Sequence, residues 1–188
     1  MKTILVCNQK GGVGKTLIAD ELSFAFESDE ISCQFIDLDT QGGTLHTSHK
    51  VEDAAVCVVD TPGALSNHMR EWMDAADYIV IPTRMSVREM EPLERTLEIA
   101  SEFKDSKRVL VVFNCWKKTN NVRAFMDWFE AKYPELDTVV LPEATAFNDA
   151  SANGKSIQEY KPSSAGAKRF RDIYSAIKHD LKLKEGWR

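Results

Sequence analysis

Six short runs of apolar residues recur along the chain, over 4–7, 31–37, 54–60, 78–82, 108–114 and 138–141. Each is too short for a helix and nearly continuous, the mark of a strand buried on both faces. Between them the apolar positions repeat with the period of a helix. Leu17, Ile18, Leu22, Ala25 and Phe26 share one face of 16–27, and Phe170, Tyr174, Ile177 and Leu181 share one face of 163–183. Further helices are expected over 66–76, over 92–103 with Pro92 in the first turn, and over 121–133. The stripe Phe125, Met126, Trp128 and Phe129 in the last of these is read as core. Pro82 is expected to end the fourth strand, 85–91 to connect it to the next helix or to begin that helix, and 144–154 to form a loop or short helix. Strands alternating with helices predict an α/β fold, a doubly wound, mainly parallel sheet flanked by helices. A length of 188 residues suits one domain spanning 1–188.

The first strand runs into Asn8-Gln9-Lys10-Gly11-Gly12-Val13-Gly14-Lys15-Thr16-Leu17. A P-loop places a glycine five positions before Gly-Lys-Thr, and here that position is Gln9. The second half of the pattern, Gly14-Lys15-Thr16, is intact, and Gly11 and Gly12 keep the turn glycine-rich. Glycines allow the backbone N–H groups of residues 11–17 to wrap closely around phosphates, and the helix that follows adds its positive end. Lys15 matches the lysine that reaches the β- and γ-phosphates, and Thr16 the hydroxyl that ligates Mg²⁺. The motif therefore predicts binding of ATP with Mg²⁺. Two more strands end on carboxylates, at Asp37-Leu38-Asp39 and at Asp60-Thr61-Pro62-Gly63, and such strand ends face the ligand crevice of a parallel sheet. Asn114 ends the fifth strand, either as a reader of the adenine edge or as an ordinary strand-end residue.

The box Lys10-Gly11-Gly12-Val13-Gly14-Lys15-Thr16 resembles the deviant Walker A box of the ParA/MinD family of P-loop ATPases. Residues 37–43 resemble that family's second box, with Thr40 in place of a proline, and Asp60 stands at the Walker B position. The resemblance continues through Gly154–Tyr160, covering almost the whole chain. It implies an ATPase that dimerises on binding ATP, with Lys10 crossing to the partner's phosphates, Lys15 and Lys10 stabilising phosphate charge, and Asp39 orienting the attacking water. Thr16, Asp37 and Asp60 would serve Mg²⁺. Among the family's branches, a small ParA-type partition protein is expected, working with nonspecific DNA and a centromere-binding adaptor protein. Arg84 and Arg88 either border the dimer interface or form a solvated face. The stretch between Asp39 and Asp60 is shorter than usual for ParA-like chains.

Composition narrows the rivals. Hydrophobic residues make up 43% and charged residues 28%, ordinary values for a globular protein, and the formal net charge of −5 gives no global nucleic-acid signature. After residue 160 the balance reverses: Lys161, Lys168, Arg169, Arg171, Lys178, Lys182, Lys184 and Arg188 outnumber Asp172, Asp180 and Glu185. That basic helix is either the DNA-binding surface or a solvated outer face. No signal peptide and no apolar run near ~20 residues is visible, so a cytoplasmic protein is expected and membrane association is not. A MinD-like membrane-surface ATPase would need the 163–183 helix to offer its apolar face to lipid, and that face reads as core-packing. Cys7, Cys33, Cys57 and Cys115 show no paired spacing and are expected as free thiols in or at the ends of strands, which disfavours a cluster-binding nitrogenase-reductase relative. His46 and His49 are expected as exposed loop histidines.

Overall fold

The computed structural model describes residues 1–39, 42–63, 68–103 and 105–184. Among them the chain runs β1 (Lys2–Val6), α1 (Lys15–Ser28), β2 (Cys33–Asp37), β3 (Val56–Asp60), α2 (Met69–Ala75), β4 (Tyr78–Arg84), α3 (Val87–Ser101), β5 (Arg108–Trp116), α4 (Asn120–Lys132), β6 (Asp137–Pro142), α5 (Thr145–Ala152), α6 (Ile157–Tyr160) and α7 (Ala165–Asp180). The six strands form one sheet in the order β2-β3-β1-β4-β5-β6, and every pairing is parallel. The expected α/β architecture is the observed one. The expected start of the second helix, at residues 66 and 67, lies outside the described residues.

The continuous apolar runs follow from burial on both faces. In β1, Ile4 and Val6 enter one core with Ile18, Leu22 and Phe26 of α1 and Phe170 and Ile177 of α7. Leu5 and Cys7 enter the other, with Met73 of α2, Leu93 and Leu97 of α3 and Phe125 and Phe129 of α4. Successive side chains point to opposite faces, so alternation is erased wherever both faces are covered. The α4 aromatics are core, with Phe129 and Phe125 edge-on to Phe113 at centroid distances of 5.0 and 5.9 Å.

Three local expectations are corrected. Pro82 does not end β4, which continues to Arg84 in register with β5. Its backbone edge faces the β1 side, where β1 has already turned into the loop, and its carbonyl accepts the Asn8 side-chain amide at 2.8 Å. A missing N–H therefore removes no ladder bond there. Pro92 lies inside α3 rather than in its first turn, because the helix already starts at Val87. The fifth strand does not stop at Asn114 but runs on to Trp116 through a register shift, with Cys115 at φ 57°. Such a bulge re-aims the side chain beside it, here Asn114.

Candidate functional site

The strands deliver their loops to one carboxyl edge, and β1 lies between β3 and β4. Gly12 and Gly14 adopt φ of 74° and 100°, and a methyl on Gly14 would fall 2.2 Å from Asn114 Nδ2, so Gly14 is required twice over. Gly14 is the N-cap of α1, with no side-chain cap and no acid in the first turn. Ile18 N–H returns to the Gly14 carbonyl at 3.1 Å, leaving the N–H groups of Lys15, Thr16 and Leu17 without intrahelical acceptors. Three donors at an uncompensated positive helix end make an anion cradle. The Leu17 side chain packs partly buried against the core, so any contact it makes with phosphate is through its N–H. Val13 is buried, and its carbonyl accepts Asn114 Nδ2 at 2.8 Å. Asn114 Oδ1 takes the Cys115 N–H at 2.8 Å. Asn114 thus braces the loop through one amide hydrogen and its carbonyl oxygen.

Lys15 is buried, and its ammonium folds back to the Lys10 carbonyl at 3.2 Å. Burial pulls its pKa down, while Asp60 and then Asp39 hold it up. A cavity of about 550 Å³ brings Lys15 together with Gly11, Gly12, Gly14, Thr16, Asp39, Pro62 and Gly63. Gly63 closes it tightly: a methyl there would lie 2.8 Å from Gly11 Cα and 3.2 Å from Lys15 Nζ. Lys10 is half-buried and outside the lining of this cavity. Arg84 and Arg88 are exposed, at the end of β4 and the start of α3.

Asp60 is fully buried at the end of β3. Its Oδ2 accepts the Thr16 hydroxyl at 2.7 Å, and its Oδ1 has no partner. Burial pushes its pKa up to about 6; the Thr16 hydroxyl opposes this and Asp37 adds to it. A buried carboxylate oxygen left bare beside a hydroxyl fits a hard divalent cation, which takes oxygen donors. Among the described residues no three His, Cys, Asp or Glu cluster as a metal cage. Asp37 stands opposite Asp60 in register, but its oxygens take the Asp39 N–H at 2.8 Å and the Thr44 hydroxyl at 3.2 Å. Cys7, just below the loop, is buried with its thiol pushed up to about 12, which leaves it a packing residue.

Several supports carried no recognised signal in the sequence. Asp20, one turn beyond Thr16 on α1, accepts the Leu45 N–H at 2.9 Å, the His46 N–H at 3.1 Å and His46 Nδ1 at 2.7 Å. His46 is thus no exposed loop histidine: its side chain is 9% exposed, between Phe24 and Phe35 at ring distances of 4.3 and 5.3 Å. His49 is exposed as expected. Asn8 and Thr96, both buried, link the start of the loop to α3.

A glycine-rich cradle at a helix N-terminus, a lysine inside it and a buried strand-end aspartate facing Thr16 define a P-loop nucleotide-binding protein. Residues 4–157 match the CobQ/CobB/MinD/ParA nucleotide binding domain, and the chain belongs to that family. A 47-residue stretch is 47% identical to Protein IncC of Escherichia coli, covering 25% of this chain and only 13% of that protein. Apo McdA of Cyanothece superposes with a TM-score of 0.80 at 18% identity, over 94% of this chain and 99% of that one. MinD of Pyrococcus horikoshii, solved with Mg-ADP, superposes with a TM-score of 0.70 at 16% identity, over 94% and 95%. At these identities the superpositions bear on the fold.

Proposed function

We propose that the protein binds and hydrolyses Mg·ATP and uses the ATP state to pair with a second copy, as a small partition-type ATPase. The carrying observation is the cavity that joins the P-loop donors and Lys15 to Asp39 and Gly63. The N–H groups of Lys15, Thr16 and Leu17 and the Lys15 ammonium hold the β- and γ-phosphates, where preorganised charge favours the transition state. Thr16 and Asp60 hold Mg²⁺, which when bound neutralises phosphate charge. Asp37 shapes the loop that carries Asp39, and Asp39 orients the attacking water from the opposite wall. Lys10 leaves the loop outside this cavity, in keeping with a role at a partner's nucleotide.

The outer face of α7 supports nonspecific DNA binding by the dimer, since Lys168, Arg169, Arg171 and Lys182 are exposed. Part of that charge is spent locally, Arg169 on Asp172 and Arg171 on Gln158. A partner protein of the centromere-binding kind would stimulate hydrolysis. The apolar residues of α7 are packed into the core, which favours this reading over one in which α7 enters a membrane surface. Among the described residues no helix is long and apolar enough to cross a membrane.

The deciding experiment uses Lys10→Ala, with both proteins saturated by a slowly hydrolysed ATP analogue. Light scattering and a DNA shift at matched salt are read together. The variant should keep its nucleotide affinity within about threefold while self-association and DNA binding fall at least about tenfold, since linked sites bind more tightly than one. Wild-type pairing by the variant would reduce Lys10 to a loop lysine.

A further inference from the structure

The step between β1 and Lys10 is gripped by α3, at Gln9, and by β4, at Asn8. Asn8 is 1% exposed; its amide donates to the Pro82 carbonyl at 2.8 Å, and its Oδ1 accepts the Lys10 N–H at 2.9 Å. Thr96, fully buried on α3, accepts the Gln9 N–H on its hydroxyl oxygen at 3.2 Å. The single hydroxyl proton has two acceptors in reach, the Pro92 carbonyl at 2.9 Å and Asn8 Oδ1 at 3.4 Å. The shorter contact takes it, which leaves Asn8 Oδ1 to the Lys10 N–H. The neighbouring Arg95 donates from Nε to Gln9 Oε1 at 3.2 Å and from NH1 to Glu91 at 2.5 Å. Two successive α3 residues therefore hold the backbone and the side chain of the residue that precedes Lys10.

The backbone donors of the phosphate cradle are held elsewhere, and the Lys15 ammonium touches the gripped segment only at the Lys10 carbonyl. Lys15, Thr16 and Leu17 are fixed by α1, and Val13 by Asn114. The grip acts at Gln9 and Lys10, which lie outside the lining of the nucleotide cavity. We infer that Thr96, assisted by Arg95 and Asn8, is a positioning residue for Lys10: α3 sets the direction in which Lys10 leaves the loop, so that a displacement of α3 reaches Lys10 before it reaches Lys15. The functional half of this inference rests on the role proposed above for Lys10, and the geometric half does not.

Two measurements on the full chain separate the halves. Thr96→Val removes the acceptor of a buried N–H while nearly keeping the shape of the side chain, and Thr96→Ser keeps the hydroxyl. In the nucleotide-free protein, amide hydrogen exchange at Gln9 should accelerate by about tenfold or more in Thr96→Val, return towards wild type in Thr96→Ser, and stay unchanged at Ile4–Val6. Should Thr96→Val fold poorly, Arg95→Ala at a half-exposed site reads the same amide through loss of the Gln9 side-chain contact. Unchanged exchange at Gln9 in the folded variants overturns the inference. The second measurement is a cycle with Lys10→Ala. Thr96→Val should lower ATP turnover about fivefold with nucleotide affinity held within about twofold, and should cost nothing further in the Lys10→Ala background, as coupled residues do. An equal loss in both backgrounds overturns the positioning role. Wild-type turnover by Lys10→Ala alone sinks the role proposed for Lys10, and exchange at Gln9 then decides whether α3 holds that step.

Discussion

β2 and β3 run side by side and end on aspartates in register, Asp37 against Asp60. Around Asp37 the chain satisfies the carboxylate: one oxygen takes the Asp39 N–H, the other the Thr44 hydroxyl. Around Asp60 it does not. One oxygen meets Thr16, the other is buried and bare, and the pKa rises to about 6. A carboxylate that accepts from its own loop on both oxygens helps to hold that turn. One that is buried half-satisfied is a binding group whose missing partner comes from outside, and its apo state carries the cost. Two strand-end aspartates that look alike in sequence thus differ in which donors reach them, and on the reading proposed above Asp37 shapes the loop while Asp60 takes the cation.

The strongest way to break this comparison is Asp60→Asn. The amide keeps the Thr16 contact and loses the charge. Magnesium-dependent ATP affinity should fall by about a hundredfold or more, because a neutral oxygen is a poor ligand for a hard cation. The nucleotide-free protein should become more stable. A raise of roughly two units in a fully buried group corresponds to about 3 kcal/mol of penalty at neutral pH, and recovering part of it would lift the melting temperature by several degrees. Calorimetric titration and melting curves read both effects. A variant that melts lower and still binds Mg·ATP would make Asp60 a strut like Asp37.

The same group fixes a pH dependence. Its folded pKa lies above the ordinary carboxylate value, so its stabilising contribution is present at low pH and is lost as pH rises through about 6. Glu21 of α1 acts with the same sign: burial raises it to about 7, against the pull of the Ile157 N–H on its Oε1 at 2.8 Å. The nucleotide-free protein should therefore lose stability between about pH 4 and pH 7 by a few kcal/mol, on the order of one to three per group. The increment in melting temperature from Mg·ATP should grow over the same interval as the cation displaces the Asp60 proton. In Asp60→Asn that growth should disappear, while the Glu21 part of the slope remains.

Asp39 and Asp37 sharpen the comparison within one loop. Asp39 lines the cavity, so Asp39→Ala should bind ATP within about threefold and lose about a hundredfold in turnover, the scale of a positioned general base. Asp37→Ala releases the Asp39 N–H and removes a negative charge beside Asp60, and should cost about tenfold, the scale of a modest misplacement. Stopped-flow binding and steady-state phosphate release separate the two. Equal losses would place Asp37 in the reacting site.

How far the sequence announces all this depends on the range of the interactions. The six strands were legible because burial on both faces leaves uninterrupted apolar runs, and the P-loop because its residues are contiguous. Asp60 was legible as a strand-end carboxylate, while its bare oxygen was not, since that depends on what β2 and α1 bring beside it. Pro82 misled because proline speaks against strands in general; only the early end of β1 shows that its missing donor faces no partner. Asn114 sat at an expected strand end, yet the bulge at Cys115 turns its amide under Val13. Asp20, His46 and Thr96 were illegible, since their partners lie 25 or more positions away.

The smallest expected effect belongs to Asp20, and it tests whether the loop after β2 is scaffold throughout. Asp20 sits on the helix that begins at the P-loop, and it gathers the Leu45 N–H, the His46 N–H and His46 Nδ1 into one buried carboxylate. This ties the chain beyond Asp39 to α1 at a point away from the nucleotide cavity, whose lining includes none of Asp20, Leu45 or His46. Asp20→Asn keeps one acceptor oxygen and loses the charge, so one of the contacts weakens and none of the apolar packing of His46 against Phe24 and Phe35 is removed. The loss in stability should be about 1 kcal/mol, the net worth of one hydrogen bond. Turnover should change by no more than about threefold, because Asp37 still holds the Asp39 backbone without help from Asp20. Melting curves and phosphate release check both values. A collapse of turnover like that expected for Asp39→Ala, with nucleotide affinity intact, would mean that the anchoring of residues 44–46 sets the catalytic geometry, and the division between a scaffold loop after β2 and a binding residue at the end of β3 would fail.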